Sequence, residues 1–460
     1  MKTTPRKITL DEWDQRYAEL CAAGLEQPEY GGPLRRHVMD GDTRLLCLRY
    51  DNSPAALQLW NFLLTEKERL FEARRQGRKI VGTMKDLGTV PVLAYSFEKV
   101  TAFYPDGAWW IPCIMEQNTD LLSIADSLGI DESFCPVRAM LGAFLTEEHF
   151  PRPDLLTCSV GATCDDFSVI AQQLYNLGYP ICWWEMPHRR PPDSQETAVL
   201  LPGGFSAPQS QIEFVKSELQ VLREALQNLT GERLHDLQLQ AGIERSNQIR
   251  RCLAELRKSA YTAKICPLPA LEMLIAEMLA IHFCSDQDQT LAVLAGLLTE
   301  VKRRITSNTG VLQPGAARIF WVNPVADLQI MNLLEECGGR ICGTEYLFNH
   351  ALEMIPTDVE PMEALARMAL ADPMVGSSSD RAELICQKIA AFEAEGVVIS
   401  RIPGASHCAL EGTIIAEVVR AKLGIPVLEI EVPPISNAVR PALQNRINAL
   451  IETIEQRRTQ

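Results

Sequence analysis

An alternation of strand-like and helix-like segments, which occurs twice along the chain, constrains the fold more than any other feature of the sequence. In its first occurrence, short apolar runs predict buried strands at KIVGTM (79–84), AWWIPCI (108–114), LLTCSV (155–160) and YPICWWEM (179–186). In its second, similar runs predict strands at ARIFWVN (317–323), GRICG (339–343), GVVISRIP (396–403) and GIPVLEIEVP (424–433). Strands that alternate with helices are typical of a mostly parallel, doubly wound sheet. The sequence therefore predicts two α/β domains that share one plan.

Outside the two alternations the pattern is mainly helical. Apolar residues recur at helical spacing over the first ~75 residues and through most of the stretch from Ser210 to Ala280. The chain has 460 residues, which is enough for several domains that each bury a core. We expect an N-terminal helical segment, a first α/β domain, a helical linking region, and a second α/β domain with a C-terminal helix, over residues 1–75, 76–205, 206–312 and 313–460.

The net charge and the N-terminal sequence bear on whether the protein binds nucleic acid or membranes. A net charge of −15 argues against a nucleic-acid surface and against charge-driven binding to anionic lipid. The N-terminal stretch MKTTPRKITLDEWDQRYAEL is polar and reads as the start of a helix, not as a signal peptide. The sequence contains no run of about 18 apolar residues, so it predicts no membrane span. We therefore expect a cytoplasmic protein with neither a nucleic-acid nor a membrane partner.

The chain contains 14 cysteines. In a reducing compartment, cysteines are more often metal ligands or catalytic groups than disulfide partners. A single cysteine is nevertheless most often a buried filler of the core. Because no two cysteines have the spacing CxxC, a metal site in this chain would need ligands that lie far apart in sequence.

Six cysteines fall near the predicted carboxyl ends of strands, where open α/β sheets bind their ligands. In the first alternation, Cys113 ends the second strand, Cys158 and Cys164 lie at and just after the third, and Cys135 lies in the loop between those two strands. In the second alternation, Cys342 ends the second strand and Cys408 follows the third. Several thiolates that converge on one cleft suit an iron–sulfur cluster or zinc. Zinc usually takes closely spaced ligands, so the dispersed set favours a cluster. The other eight cysteines are predicted to be structural.

Three segments that carry Cys135, Cys164 and Cys408 are distinctive as an ordered set. They are ESFCPVRAMLGAF, LLTCSVGATCDDF, and EGVVISRIPGASHCALEG followed by KLGIPVLEIEVPP. In this order they resemble the cluster-binding segments of the 2-hydroxyacyl-CoA dehydratase D-component and benzoyl-CoA reductase family. The stretches NLTGERLHDLQLQAGIERSNQIRR and NRINALIE are similar to the linking and C-terminal helices of that family. The resemblance spans residues 80 to 455, roughly, through many short motifs.

The resemblance implies two flavodoxin-like domains with an iron–sulfur cluster between them, held by Cys135, Cys164 and Cys408. Three thiolates would leave one iron of a [4Fe–4S] cube open to substrate. The implied activity is one-electron reduction of an acyl-CoA, which leads either to 2-hydroxyacyl-CoA dehydration (a lyase) or to aryl-CoA reduction (an oxidoreductase) in an anaerobic, oxygen-sensitive system. The chain has no G-x-x-x-x-G-K-[ST] loop. ATP would therefore be hydrolysed by a separate activator protein that carries its own cluster.

Several alternatives stay open at the level of sequence. One branch of the family carries a double-cubane [8Fe–9S] cluster and reduces small molecules as a homodimer, and it would use Cys113, Cys158 and Cys342 as additional ligands. The chain could also pair with a paralogous subunit in a heterodimer, or be the non-catalytic subunit of such a complex. A periplasmic-binding-like protein without metal is a further alternative. His407, beside Cys408, is the candidate catalytic residue, through a hydrogen bond to cluster or substrate.

Overall fold

The N-terminal region combines helices with a small antiparallel sheet. The computed structural model describes residues 4–24, 31–39, 41, 43–84, 88–105, 121–346, 352–434 and 436–460, with the backbone alone for residues 406–410. The strands of the region are β1 (Lys7–Ile8) and β2 (Tyr50–Asp51), and its helices are α1 (Leu10–Ala22), α2 (Arg35–Met39), α3 (Pro54–Leu64) and α4 (Glu66–Arg75). The helical pattern does not reveal the β1–β2 pair, because each strand is only two residues long.

The first of two parallel sheets follows. Its strands are β3 (Lys79–Met84), β4 (Val100–Phe103), β5 (Leu155–Gly161) and β6 (Ile181–Met186). Its helices are α5 (Val90–Tyr95), α6 (Leu121–Ser127), α7 (Ala139–Thr146) and α8 (Asp165–Asn176). The strands stand in the order β4-β3-β5-β6, and all neighbours are parallel. A hairpin of β7 (Ala198–Leu200) and β8 (Ser206–Pro208) closes this part of the chain.

Four helices link the two sheets: α9 (Gln209–Thr230), α10 (Asp236–Thr262), α11 (Ala270–His282) and α12 (Gln287–Thr306). Helix α10 packs against α5 and also against the second sheet. Its Arg250 donates hydrogen bonds to the carbonyl oxygen of Gly88, after β3, at 2.8 Å and to that of Glu353 at 2.7 Å. Since Glu353 belongs to the second α/β part of the chain, one buried arginine of the linking helix binds the backbone of both parts.

The second sheet repeats the order of the first. Its strands are β9 (Ala317–Val322), β10 (Gly339–Glu345), β11 (Gly396–Arg401) and β12 (Val427–Glu431), in the order β10-β9-β11-β12. Its helices are α13 (Gln329–Glu336), α14 (Pro361–Leu370), α15 (Ser378–Ala391), α16 (Ser406–Leu423) and α17 (Arg440–Thr459). Short 3-10 helices occur at Thr43–Cys47, Pro136–Arg138, Pro202–Gly204, Phe283–Ser285 and Pro373–Val375. The prediction of two flavodoxin-like α/β domains is confirmed.

One strand of the first sheet, β4, is not among the predicted strands. The second strand of the first sheet is β4, at 100–103, whereas the sequence pattern predicts a strand at 108–114. The predicted segment lies outside the described residues. The short run VTAF is less apolar than AWWIPCI, and only its pairing with β3 distinguishes it as the strand of this sheet. In the part of the chain that the structure describes, no helix has both the length and the apolar character needed to cross a bilayer.

Candidate functional site

Each sheet has one crevice at which its strand order reverses. In both sheets the first strand lies between the second and the third, so the crevice opens between the first and third strands at their carboxyl ends. The loop after β5 leads through Cys164 into α8, and the loop after β11 leads into α16, whose third residue is Cys408. Cys164 and Cys408 therefore occupy equivalent positions in the two domains.

Cys164 is the N-cap residue of α8, directly before its first turn. Among the described contacts at this helix start, no backbone amide of the first turn caps its sulfur. The thiol lies 3.5 Å from the carboxylate Oδ2 of Asp166. Burial, and then the charge of Asp166, raise the pKa of the Cys164 thiol above its ordinary value.

Cys135 precedes a 3-10 turn at Pro136–Arg138, which continues into α7. The residue is 7% exposed. The Arg138 guanidinium donates to the carbonyl oxygen of Phe134 at 3.3 Å and to Oδ1 of Asp126 at 3.3 Å. The Cys135 backbone is therefore tied to the end of α6, and the 3-10 turn packs against α8.

Gly404 brings the second domain into contact with the Cys135 segment. This glycine has φ +78°, and a Cβ atom placed on it would lie 2.4 Å from the Phe134 carbonyl oxygen and 3.0 Å from the Cys135 amide nitrogen. The loop that begins α16 thus lies directly on the peptide that joins Phe134 to Cys135. Helix α16 also packs against α8, which begins after Cys164. The backbone segments that carry Cys135, Cys164 and Cys408 consequently meet at one place.

Three of the candidate residues have side chains that the structure does not describe. For His407 and Cys408 only the helical backbone is described, and Cys113 lies in the segment 106–120, outside the described residues. Among the described side chains, no three His, Cys, Asp or Glu residues converge as a metal site. The ligand roles of Cys408 and Cys113 and the role of His407 stay predictions.

The two remaining candidates lie within strands. Cys158 is fully buried inside β5, which continues to Gly161. Cys342 lies in the middle of β10, at an irregularity in its pairing with β9, so the expectation that it ends the strand is wrong. Burial raises the pKa of the Cys342 thiol to about 12, and the charges around it are Arg318, Arg340 and Glu395. Cys342 therefore lies within the strand and not at the carboxyl ends of the strands, where the Cys164 and Cys408 segments are.

A buried ion network beneath α16 is not apparent from the sequence. Arg381, in the first turn of α15, pairs with Glu345 at the end of β10 and with Glu411 in α16. Its guanidinium also donates to Oδ1 of Asn323, just after β9, at 2.7 Å. In the sequence, Arg381 is simply an arginine within an amphipathic helix. Arginine side chains are usually exposed, so the pattern does not predict that this one is buried.

The fold and the site together define a class: a two-domain α/β protein in which cysteines from both domains are brought to the carboxyl ends of parallel strands. A family model for the D-component of 2-hydroxyglutaryl-CoA dehydratase matches residues 98–454. The chain belongs to this family, as its sequence motifs predict, and it is therefore a dehydratase-type component. A search of curated proteins gives no match.

Proposed function

We propose that the chain is the cluster-bearing component of an ATP-dependent, low-potential dehydratase or reductase that acts on an acyl-CoA. The contact of Gly404 with the Phe134–Cys135 peptide carries this proposal, because it joins the segments of two predicted ligands that are more than 270 residues apart in sequence. Membership of the dehydratase family supports the same assignment.

The residues present fit an iron–sulfur cluster. Thiolates are soft ligands, and three of them at the starts of helical segments would leave one iron without a protein ligand. Cys164 directly precedes the first turn of α8, and hydrogen bonds to the sulfurs of a cluster are among the features that tune it. When bound, the cluster would supply single electrons at an open coordination position.

The surrounding residues would control access and orientation. Cys135 is buried, and the Arg138 hydrogen bond to the Phe134 carbonyl oxygen holds the backbone that precedes it. The Asp166 carboxylate, beside Cys164, would place negative charge near the ligands and so favour the oxidised cluster. His407 would donate a hydrogen bond to a ligand sulfur or to the substrate. A separate activator would hydrolyse ATP, and the chain would work as a homodimer or with a paralogous partner.

The position of Cys342 favours one cube over a double cubane. A second cube would need further thiolates at the carboxyl ends of the strands, and Cys342 lies in the middle of β10. Cys158 is enclosed inside β5. We therefore propose Cys135, Cys164 and Cys408 as the ligands of a single [4Fe–4S] cluster.

Iron and sulfide counts on anaerobically purified protein test the proposal. We expect about four irons per chain for one cube, whereas about eight would indicate the double cubane. Replacement of Cys135, Cys164 or Cys408 by alanine should each lower the iron content. Cys182→Ala is the matched control, because Cys182 is a partly exposed cysteine of β6 outside the three ligand segments. A wild-type protein without iron would refute the cluster, and unchanged iron in Cys408→Ala would refute that ligand.

A further inference from the structure

We propose that Arg381 is a positioning residue that fixes the first turns of α16, and with them Cys408, over the carboxyl edge of the second sheet. The link to the cluster rests on the proposed function, whereas the effect on α16 does not. None of the predicted ligands whose side chains the structure describes is a partner of Arg381. It acts through Glu411, which lies three residues after Cys408 in the same helix.

The Arg381 side chain is fully buried and binds three different elements. Toward β10, its Nε and Nη2 donate to the two carboxylate oxygens of Glu345 at 3.2 and 2.6 Å. Toward β9, Nη2 donates to Oδ1 of Asn323 at 2.7 Å. Toward α16, Nη1 donates to Oε2 of Glu411. One planar guanidinium thus joins two strand ends to the helix that carries Cys408.

The partners of Arg381 are themselves fixed. Asn323 has φ +69°, and its side-chain amide donates to the carbonyl oxygen of Ser400, in β11, at 3.0 Å. The second oxygen of Glu411 accepts from the Ser378 hydroxyl at 3.1 Å. Burial alone would lower the pKa of Arg381, but the carboxylates of Glu345 and Glu411 outweigh it and raise that pKa. The arginine therefore stays charged, and both carboxylates depend on it.

Helix α16 needs this support because its start lacks a local cap. The residue before its first turn is Ala405, which has no side chain able to accept from the first amides. An uncapped first turn depends on tertiary contacts for its order. Apolar packing reaches α16 further along, where Ile415 and Val419 join the cluster formed with Phe320 and Ile385. Before that point, described polar contacts hold the helix at two residues: the Thr413 hydroxyl accepts from Arg401 of β11 at 3.1 Å, and Glu411 pairs with Arg381. Of these, the Arg381 pair reaches both α15 and β10.

Hydrogen exchange of the metal-free protein tests the effect on α16 directly. In Arg381→Met we expect the amides of 406–412 to exchange faster by about tenfold or more than in wild type, because local opening no longer breaks an ion pair. Arg381→Lys should give a smaller increase, since lysine keeps the charge but not the planar fork. Glu411→Gln, which keeps a polar side chain on α16, should raise the exchange of the same amides.

Arg304→Met is the matched control. Arg304 is equally buried and has two carboxylate partners, Asp51 and Glu300, but it joins β2 to α12 and does not contact α16. Its loss should destabilise the protein and leave exchange in 406–412 within about twofold of wild type. Equal exchange in that segment for Arg381→Met and Arg304→Met would overturn the positioning role.

Iron retention then tests the link to the cluster. After anaerobic purification, Arg381→Met should hold less iron than Arg304→Met and should lose it faster to a chelator. Wild-type iron content and release rate in Arg381→Met would overturn the link to Cys408. Should wild type itself hold no iron, the proposed function fails, and the exchange comparison still decides whether Arg381 positions α16.

Discussion

Replacing Gly404 with alanine should break the contact between the segments that carry Cys135 and Cys408. Two costs add at this position. The backbone has φ +78°, where an L-residue costs about 1–2 kcal/mol. The new Cβ would lie 2.4 Å from the Phe134 carbonyl oxygen and 2.5 Å from its carbon, so one of the two segments must move. Overpacking of this kind costs about 1–3 kcal/mol. The expected loss of stability is therefore about 2–5 kcal/mol.

Gly424→Ala separates the two costs. Gly424 ends the same helix, α16, with φ +60°, and a Cβ there would meet no atom within 4 Å. This control should carry the backbone cost alone, about 1–2 kcal/mol. The difference between the two variants, measured as the difference in their urea denaturation midpoints, isolates the contact with the Cys135 segment. The same pair of variants should differ in iron content, with Gly404→Ala the lower.

Equal losses in the two variants would refute the reasoning. They would mean that the Phe134–Cys135 peptide does not resist the added methyl group, and the proposed meeting of the ligand segments would lose its main support. A Gly404→Ala protein that is less stable than Gly424→Ala but has wild-type iron would separate the contact from the cluster.

Two further predictions concern charge inside the protein. Glu272 is fully buried, and burial together with Asp51 raises its pKa from 4.5 to about 8. Between pH 4.5 and 8 the folded state holds a proton that the unfolded state releases. The free energy of unfolding should therefore fall as pH rises through this range, by at most about 5 kcal/mol. The urea denaturation midpoints of Glu272→Gln should lack this dependence on pH. Arg189 stacks on Phe205 at 3.9 Å and donates to two backbone carbonyls of the second α/β part. Arg189→Met should cost about 1.5–3 kcal/mol in urea denaturation, whereas Arg190→Met, next to it and exposed, should change little.

The strands that could be predicted from sequence are those whose local pattern and final environment agree. KIVGTM is β3, with the same first and last residues, because helices cover both faces of a parallel sheet and leave a continuous apolar run. The end of β10 could not be predicted in this way. Thr344 and Glu345 are polar, so the pattern ends at Gly343, yet both residues are buried within the strand. Arg257 and Arg381 provide their partners, from 87 and 36 residues away in the sequence.

The candidate site likewise contains positions that the sequence predicts and contacts that it does not. The position of Cys164 follows from local pattern, since a strand, a short loop and an amphipathic helix are all readable in LLTCSVGATCDDF. The meeting of its segment with those of Cys135 and Cys408 required the family resemblance or the structure. The Gly404 contact cannot be predicted from the sequence, because a glycine after a strand usually indicates an ordinary turn.

The two halves of the site occupy equivalent positions but are stabilised differently, and this difference has a consequence for metal loss. Cys164 is the residue just before α8, which packs against β5 and the 3-10 turn after Cys135 and places Phe167 against the hydrophobic core, so packing fixes it. Cys408 stands one turn from Glu411, in a helix that begins without a cap, so the tertiary pair with Arg381 fixes it. A local opening that costs one ion pair is more frequent than one that unfolds a packed helix. The second domain should therefore release its ligand first, and in partly demetallated wild-type protein a thiol reagent should label Cys408 before Cys164.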